Sequence, residues 1–330
     1  MIHHEFWPTS LLHLPVYIYA LGQTLRFRSL NYFVWANPKI ATGGLKGYSR
    51  YKILQHVPET HLPVTVLVSA SATPEDVEKL WSEKGGAFPV VVKPDLGGSR
   101  GLGVKLINDQ EELLKYHKKV KYNYLIQTYV DEPEEFGVFV LRTSEGFEIS
   151  SLVQKDFLIL HGDGRSSIKE LFYKHGRASQ FISVHELPHY SERVLEVGQN
   201  IWLQPLGSRR KGTRFVNANS IIDESLTDHF QVLTKHIPQF FYGRLEVRAE
   251  SVRALSEGRF KVMDISGVGS VPGHIYDSGY KWTQAIKDIL WHWKRLSDIV
   301  NVNRKKLSKE SARTTYKTIF KYSFSKGSDV

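Results

Sequence analysis

Lys93 stands where an apolar run turns into a glycine-rich loop: Phe88 to Val104 reads FPVVVKPDLGGSRGLGV. The run has the composition of a buried strand, and Gly97, Gly98, Gly101 and Gly103 break it into a turn. Glycines let a backbone approach an anion with its N–H groups pointing inward, and a lysine on the adjoining strand adds a compact positive charge. That is the composition of a phosphate cradle. A strand ending in an ordinary turn would have the same composition. Two familiar phosphate loops are excluded by order. Lys93 precedes its glycines, whereas a P-loop lysine follows them, and Leu106 stands where a dinucleotide fingerprint needs its third glycine.

Acidic chemistry is concentrated further along. Gly243 to Glu250, GRLEVRAE, alternates so that a strand would place Arg244, Glu246 and Arg248 on one face, and Arg259 to Ser266, RFKVMDIS, would present Asp264 and Ser266 likewise. The polar segment between them, ending at Gly258, suits a hairpin or similar connection. Two carboxylates facing one cleft are what a magnesium–nucleotide site needs, because hard cations take oxygen ligands and keep waters and phosphate oxygens. A polar sheet face laced with salt bridges gives the same pattern.

These residues need elements to hold them. Ser49 reads as the cap of a short helix from Arg50 to about Val57, and Thr65 to Ala70 as a strand. Thr73 to Lys84 opens Thr-Pro-Glu-Asp, a capped helix start, and Asp109 to Lys118 repeats the pattern. Tyr124 to Arg142 reads as two apolar strands flanking an acidic turn, and Ser151 to Leu171 as strand, Gly-Asp-Gly turn and capped helix. The aromatic first forty residues read as a helical segment packed on the main body, with a membrane-touching or partner-binding helix as the alternative. An apolar stripe from Trp282 to Val300 at helical spacing reads as core packing.

Composition narrows the classes. At 330 residues, with 41% hydrophobic and 12% aromatic residues, the chain can bury a substantial core. It has no cysteine, so a disulfide framework, a cysteine nucleophile and thiolate-bound zinc are excluded. The formal charge of +10 favours an anionic partner. No zinc-finger spacing, base-reading basic helix or RNA-binding sheet signature is present, which argues against nucleic acid. Much of the excess charge lies in the run from Arg304 to Lys326, read as a solvated helix or tail. His185 and His189 flank Pro188 and lack an acidic companion; they read as surface histidines. Leu11 to Leu21 is too short to span a bilayer, and no secretory signal is visible.

Lys93, Pro94, Gly97, Gly98, Ser99, Gly101 and Gly103 together resemble the flexible loop of the ATP-grasp ligases, among them D-alanine–D-alanine ligase and the ligase part of cyanophycin synthetase. The Gly162-Asp163-Gly164 turn before a helix is similar to a stretch of the latter group. The resemblance runs from about Arg50 to Pro272 and implies an α+β fold in which two α/β lobes grip a nucleotide, here with a shortened helical N-terminal region. The implied divisions are 1–62, the N-terminal region; 63–130, a small lobe with the glycine loop; 131–280, a larger lobe with the metal strands; and 281–330, a C-terminal helix and basic tail.

It also implies roles. Arg50, Lys93, Lys155 and the loop residues Gly98, Ser99 and Gly101 would face ATP phosphates. Gln127, Tyr129 and Val130 would form the adenine hinge, and Glu135 would hold the ribose. Glu246, Asp264 and Ser266 would bind Mg2+, Arg244 would stabilise the transferring phosphoryl group, and Ser270 would sit in the loop that holds the acceptor. The chain departs from the family pattern in Arg50 for lysine, Gln127 for glutamate and Ser266 for asparagine, and also at Glu246. The implied activity is ATP-dependent joining of a small-molecule carboxylate to an amine through an acyl phosphate, in the cytoplasm or at the inner face of its membrane. A nucleotide-binding regulatory or membrane-associated module without turnover is the alternative.

Overall fold

The computed structural model describes residues 4–7, 9–96, 103–187 and 190–305. Gly98, Ser99, Gly101 and His189, and the basic run beyond Lys305, lie outside the described residues. The chain divides into two compact units, one made of residues 1–154 and 217–330, the other of residues 155–216.

In chain order, helices α1 (Thr9–Leu12), α2 (Leu14–Phe27) and α3 (Arg50–Leu54) lead to strand β1 (Thr65–Val68). Next come α4 (Pro74–Glu83), β2 (Val90–Pro94), β3 (Lys105–Ile107), α5 (Gln110–Lys119) and β4 (Tyr124–Thr128). The long strands β5 (Glu134–Thr143) and β6 (Gly146–Asp156) lead into the second unit, which holds β7 (Ile159–His161), α6 (Ile168–Lys174), α7 (Ala178–Phe181), β8 (Asn200–Trp202) and most of β9 (Arg214–Asn217). The chain closes with α8 (Glu224–Lys235), β10 (Tyr242–Ala249), α9 (Val252–Ser256), β11 (Lys261–Ser266) and α10 (Trp282–Arg304).

Capping signals mark the helices as read from sequence. The side chains of Ser49, Thr73 and Asp109 each accept a backbone N–H of the first turn, and Thr73 with Asp76 forms a reciprocal capping box.

Two antiparallel sheets organise the larger unit. The smaller runs β1-β4-β2-β3, and the strands β11-β10-β5-β6 lie side by side in the larger. Alternation assigns the faces of the smaller sheet. Val66, Val68, Val90, Val92, Tyr124 and Ile126 pack with Val77, Trp81 and Leu113 of the covering helices, while Leu125, of opposite parity, joins the core of the larger sheet. That second core draws Phe136, Val138, Leu245, Val247, Val262 and Ile265 from the strands and Phe230 and Leu233 from α8. On the other side Leu296, Ile299 and Val300 of α10 pack with Phe139, Leu141 and Tyr242, so part of the apolar stripe is core. Among the described residues no helix is long and apolar enough to cross a membrane.

Asn37 joins distant parts of this unit. Its amide donates to the carbonyls of Gly43 (3.0 Å) and Tyr242 (2.7 Å), and its oxygen accepts from the N–H groups of Phe241 (2.9 Å) and Tyr242 (3.1 Å). The residue is fully buried. Asn37→Ala should lower the unfolding free energy by roughly 3 kcal/mol or more, because it orphans several buried backbone groups at once. Urea denaturation measures this; a loss under about 1 kcal/mol would mean that water replaces the amide.

Candidate functional site

Lys93, next to last in β2, stands on the face turned away from α4 and α5. The β2–β4 register pairs Val91 with Gln127 and Lys93 with Leu125, so Lys93 and Gln127 are diagonal neighbours on one face. Lys93 Nζ donates to Gln127 Oε1 at 2.9 Å and to the carbonyl of Met263 at 2.5 Å. Gln127 in turn donates to Thr65 Oγ1 at 2.9 Å. The side-chain carbonyl of Gln127, expected in the adenine hinge, is thus engaged by the lysine.

The Met263 carbonyl is available because β11 departs from strict alternation. Glu246 pairs with Asp264 and Val247 with Val262, so Met263 is the extra residue of a bulge. The bulge leaves Val262 and Ile265 in the core while Asp264 and Ser266 stay on the polar face. The connection from β10 to β11 carries the helix α9 rather than a simple turn.

Cross-strand register then builds the acidic face. Glu246 stands opposite Asp264, and Arg244 opposite Ser266. Arg244 Nε lies 2.7 Å from Glu246, and its Nη1 donates to the carbonyl of Val271 at 3.3 Å. Arg50 Nε lies 3.2 Å from Asp264, and its Nη1 donates to the Pro94 carbonyl at 2.7 Å. Arg50 is buried; burial works against its charge, but Asp264 and its other anionic neighbours hold its pKa above the ordinary arginine value. On the neighbouring strand, Gly137 faces Glu246. A Cβ there would lie 3.4 Å from Glu246 Oε2 and 3.0 Å from Val153, so glycine leaves the carboxylate its room.

Glu135 and Arg248 form a buried pair at 3.0 Å. Arg248 also donates to the Tyr129 hydroxyl (3.0 Å) and the Val130 carbonyl (2.7 Å), which draws the expected hinge residues and the expected ribose carboxylate into one cluster. Ser270 turns inward: it is buried and its hydroxyl donates to the Gly267 carbonyl of its own loop at 2.5 Å. That loop is held backbone to backbone. Val268 and Gly269 donate to the carbonyls of Gly43 and Gly44, and a Cβ on Gly44 would come within 2.6 Å of Gly267 Cα.

Lys155 belongs to the second unit, where its ammonium donates to the Gly207 carbonyl at 3.3 Å and lies 5.7 Å from the Phe215 ring centre. In the same unit Arg214 pairs with Asp156 at 2.7 Å, and His185 is exposed, as a surface histidine would be. Two participants escaped the sequence reading. Tyr48 hydrogen-bonds Ser266, and burial together with the Asp264 carboxylate pushes its phenol up. Asp95 accepts from the Ser49 hydroxyl (2.8 Å) and the Tyr51 N–H (3.0 Å), anchoring the start of the Arg50 helix. Tyr48 lies just before the N-capped helix and Asp95 two residues after Lys93; adjacency to residues already singled out was the only available signal.

Among the described residues no three His, Asp or Glu side chains cluster tightly enough to cage a cation. The paired carboxylates of Glu246 and Asp264, with the Ser266 hydroxyl beside them, do suit Mg2+ that draws its remaining ligands from phosphates and water.

No family model matches the chain, and no curated protein does. Among solved structures it is similar to D-alanine–D-alanine ligase from Bacillus anthracis, at 15% identity and a TM-score of 0.41, over 78% of this chain and 67% of that one. It is also similar to N5-carboxyaminoimidazole synthetase from Staphylococcus aureus complexed with ADP (14%, TM-score 0.43, 75% and 52%). A third is a bifunctional glutathione synthetase from Pasteurella multocida (14%, TM-score 0.38, 78% and 36%). The chain therefore spans about half the length of the second and about a third of the third.

Burial lowers the pKa of Lys93 from 10.5 to about 8, against the pull of Asp264. Between these values the unfolded chain binds more protons, so stability held back by the buried charge is recovered as pH rises. Relative to Lys93→Met, wild type should gain on the order of 3 kcal/mol of unfolding free energy from neutral pH to the upper end of that window. Paired urea titrations read the difference, and a flat one would show that Lys93 keeps its proton throughout.

Proposed function

We propose that the chain is an ATP-dependent carboxylate–amine ligase, in which a substrate carboxylate takes the γ-phosphoryl group as an acyl phosphate and an amine then displaces phosphate. One observation carries the reading: Arg50, Lys93, Arg244, Glu246 and Asp264, from four separate stretches of chain, meet in one hydrogen-bonded and ion-paired region around β2, β10 and β11. A polar sheet face needs no lysine inserted from another sheet.

In this reading Lys93 and Arg50 neutralise phosphate charge, and Arg244 steadies the group in transfer. Glu246 and Asp264 would hold Mg2+, which when bound supplies Lewis-acid neutralisation of the phosphate oxygens. Each carboxylate already rests against an arginine, so the charges are oriented before any ligand arrives. The backbone between Gln127 and Val130 would seat the adenine, with Glu135 beyond it. Ser270 and the loop from Gly267 to Pro272 would border the acceptor. Phosphoryl transfer needs little general-base chemistry, so no catalytic histidine is required.

A second reading, a nucleotide-binding module without turnover, is favoured by Ser266 and by the arginine already seated on each carboxylate. Magnesium-dependent ADP release over a panel of amino acids, with ATP binding followed by calorimetry, separates the two. Ligase chemistry predicts ADP release with at least one carboxylate and its loss in Lys93→Ala; tight ATP binding with no turnover on any substrate selects the second reading. Asp264→Asn should raise the magnesium concentration needed for half-maximal rate at least about tenfold, since loss of even an outer-shell partner of a bound metal costs about 10–100-fold in affinity. An unchanged metal response would move the cation elsewhere.

A further inference from the structure

One face of the N-terminal helices is apolar and, among the described residues, uncovered. Leu11, Leu14, Ile18, Leu21 and Leu25 follow at steps of three and four, which aligns them along one side of α1 and α2, and they are 52%, 55%, 70%, 62% and 73% exposed. The opposite side is used: Leu12, Val16 and Phe27 are buried, and the Tyr19 hydroxyl donates to Ser297 of α10 at 3.3 Å. Such an uncovered row on a helix is what an interaction surface looks like, since isolated surface leucines do not fall into line.

The ends of the row differ chemically. At its start Trp7 and Trp282 pack at 5.9 Å between ring centres, with Trp282 and Phe6 partly exposed. At its finish the guanidinium groups of Arg26 and Arg304 both lie over the Phe27 ring, at 5.3 and 5.8 Å, with exposed Arg28 adjoining. The chain has no acidic residue between Glu5 and Glu59, while Arg26, Arg28, Lys39, Lys46 and Lys52 fall inside that span.

We propose that this face of α1 and α2 lies on an anionic lipid surface, with the leucine and isoleucine side chains among the acyl chains and the arginines at the phosphates. Charge decides the occupant. The helices' own stretch, between Glu5 and Glu59, offers a second copy no acidic residue to meet Arg26 and Arg28, whereas anionic headgroups complement the cationic end. Tryptophan at one end and arginine at the other is also the arrangement of helices that lie in an interface rather than cross it. At 1.5 Å per residue the row is roughly 20 Å long, enough to lie along the headgroup layer but short of a span.

Flotation of the full chain with vesicles of phosphatidylcholine, alone or mixed with phosphatidylglycerol, tests this. Wild type should float with the mixed vesicles, much less with the neutral ones, and progressively less as salt is raised. Ile18→Ser with Leu25→Ser should cut binding at least about tenfold, since two large side chains leave the acyl layer, while circular dichroism and ATP binding stay unchanged. Arg26→Gln with Arg28→Gln should remove the preference for anionic vesicles. Failure of wild type to float, or equal binding by the serine variant, would overturn the proposal. So would a wild-type dimer, seen by sedimentation, that the serine substitutions dissolve while neither protein binds vesicles.

Discussion

A protonated amine buried between two sheets is the constraint on which the larger unit depends. Removing an ammonium from water costs several kcal/mol, and that cost is offset only where acceptors with good geometry wait for it. For Lys93 the acceptors come from opposite directions: Gln127 on the adjoining strand of its own sheet and the Met263 carbonyl on an edge strand of the other. Separating the sheets would leave the charge without its partners. The contact is also conditional: Asp264 supports the charge, yet burial leaves the amine short of the ordinary lysine pKa.

The surrounding polar groups are arranged around that amine with few left idle. Arg50 bridges Asp264 and the carbonyl of Pro94, next to Lys93, so helix α3, strand β2 and strand β11 are tied at one point. Arg244 and Arg248 leave β10 for different partners, one toward Glu246 and the 267–273 loop, the other toward Glu135 and the 129–130 turn. Pre-paired charges cost less to hold than isolated ones and limit reorganisation when a ligand exchanges into the network. Both the ligase and the binding-module readings use this economy; they differ in whether the exchange leads to chemistry.

Backbone irregularity shapes the site as much as side chains do. The bulge at Met263 presents a carbonyl to Lys93 and keeps Asp264 and Ser266 on the polar face. Glycines at 44 and 267 allow two loops to touch through their main chains, which holds the 267–273 segment against the N-terminal region instead of leaving it loose. Asn37 secures the same junction from beneath.

Local physics made much of this legible in advance. Helix starts at Ser49, Thr73 and Asp109 follow from side chains that can cap only their own first turns, and alternation alone put Arg244 and Glu246 on a common face. Glu246 and Asp264 could be grouped because they belong to two short strands joined by one connection. Tertiary structure alone decided the rest. Nothing local says that Gln127 meets Lys93, that Asp264 takes Arg50, or that Glu135 closes on Arg248, because each partner is brought across sheets or strands by folding. The bulge was hidden for a related reason: an extra residue shows in the pairing of two strands, not in the string of either one. Exposure of Leu14, Ile18, Leu21 and Leu25 is likewise a property of what fails to cover them, and only the folded chain defines that.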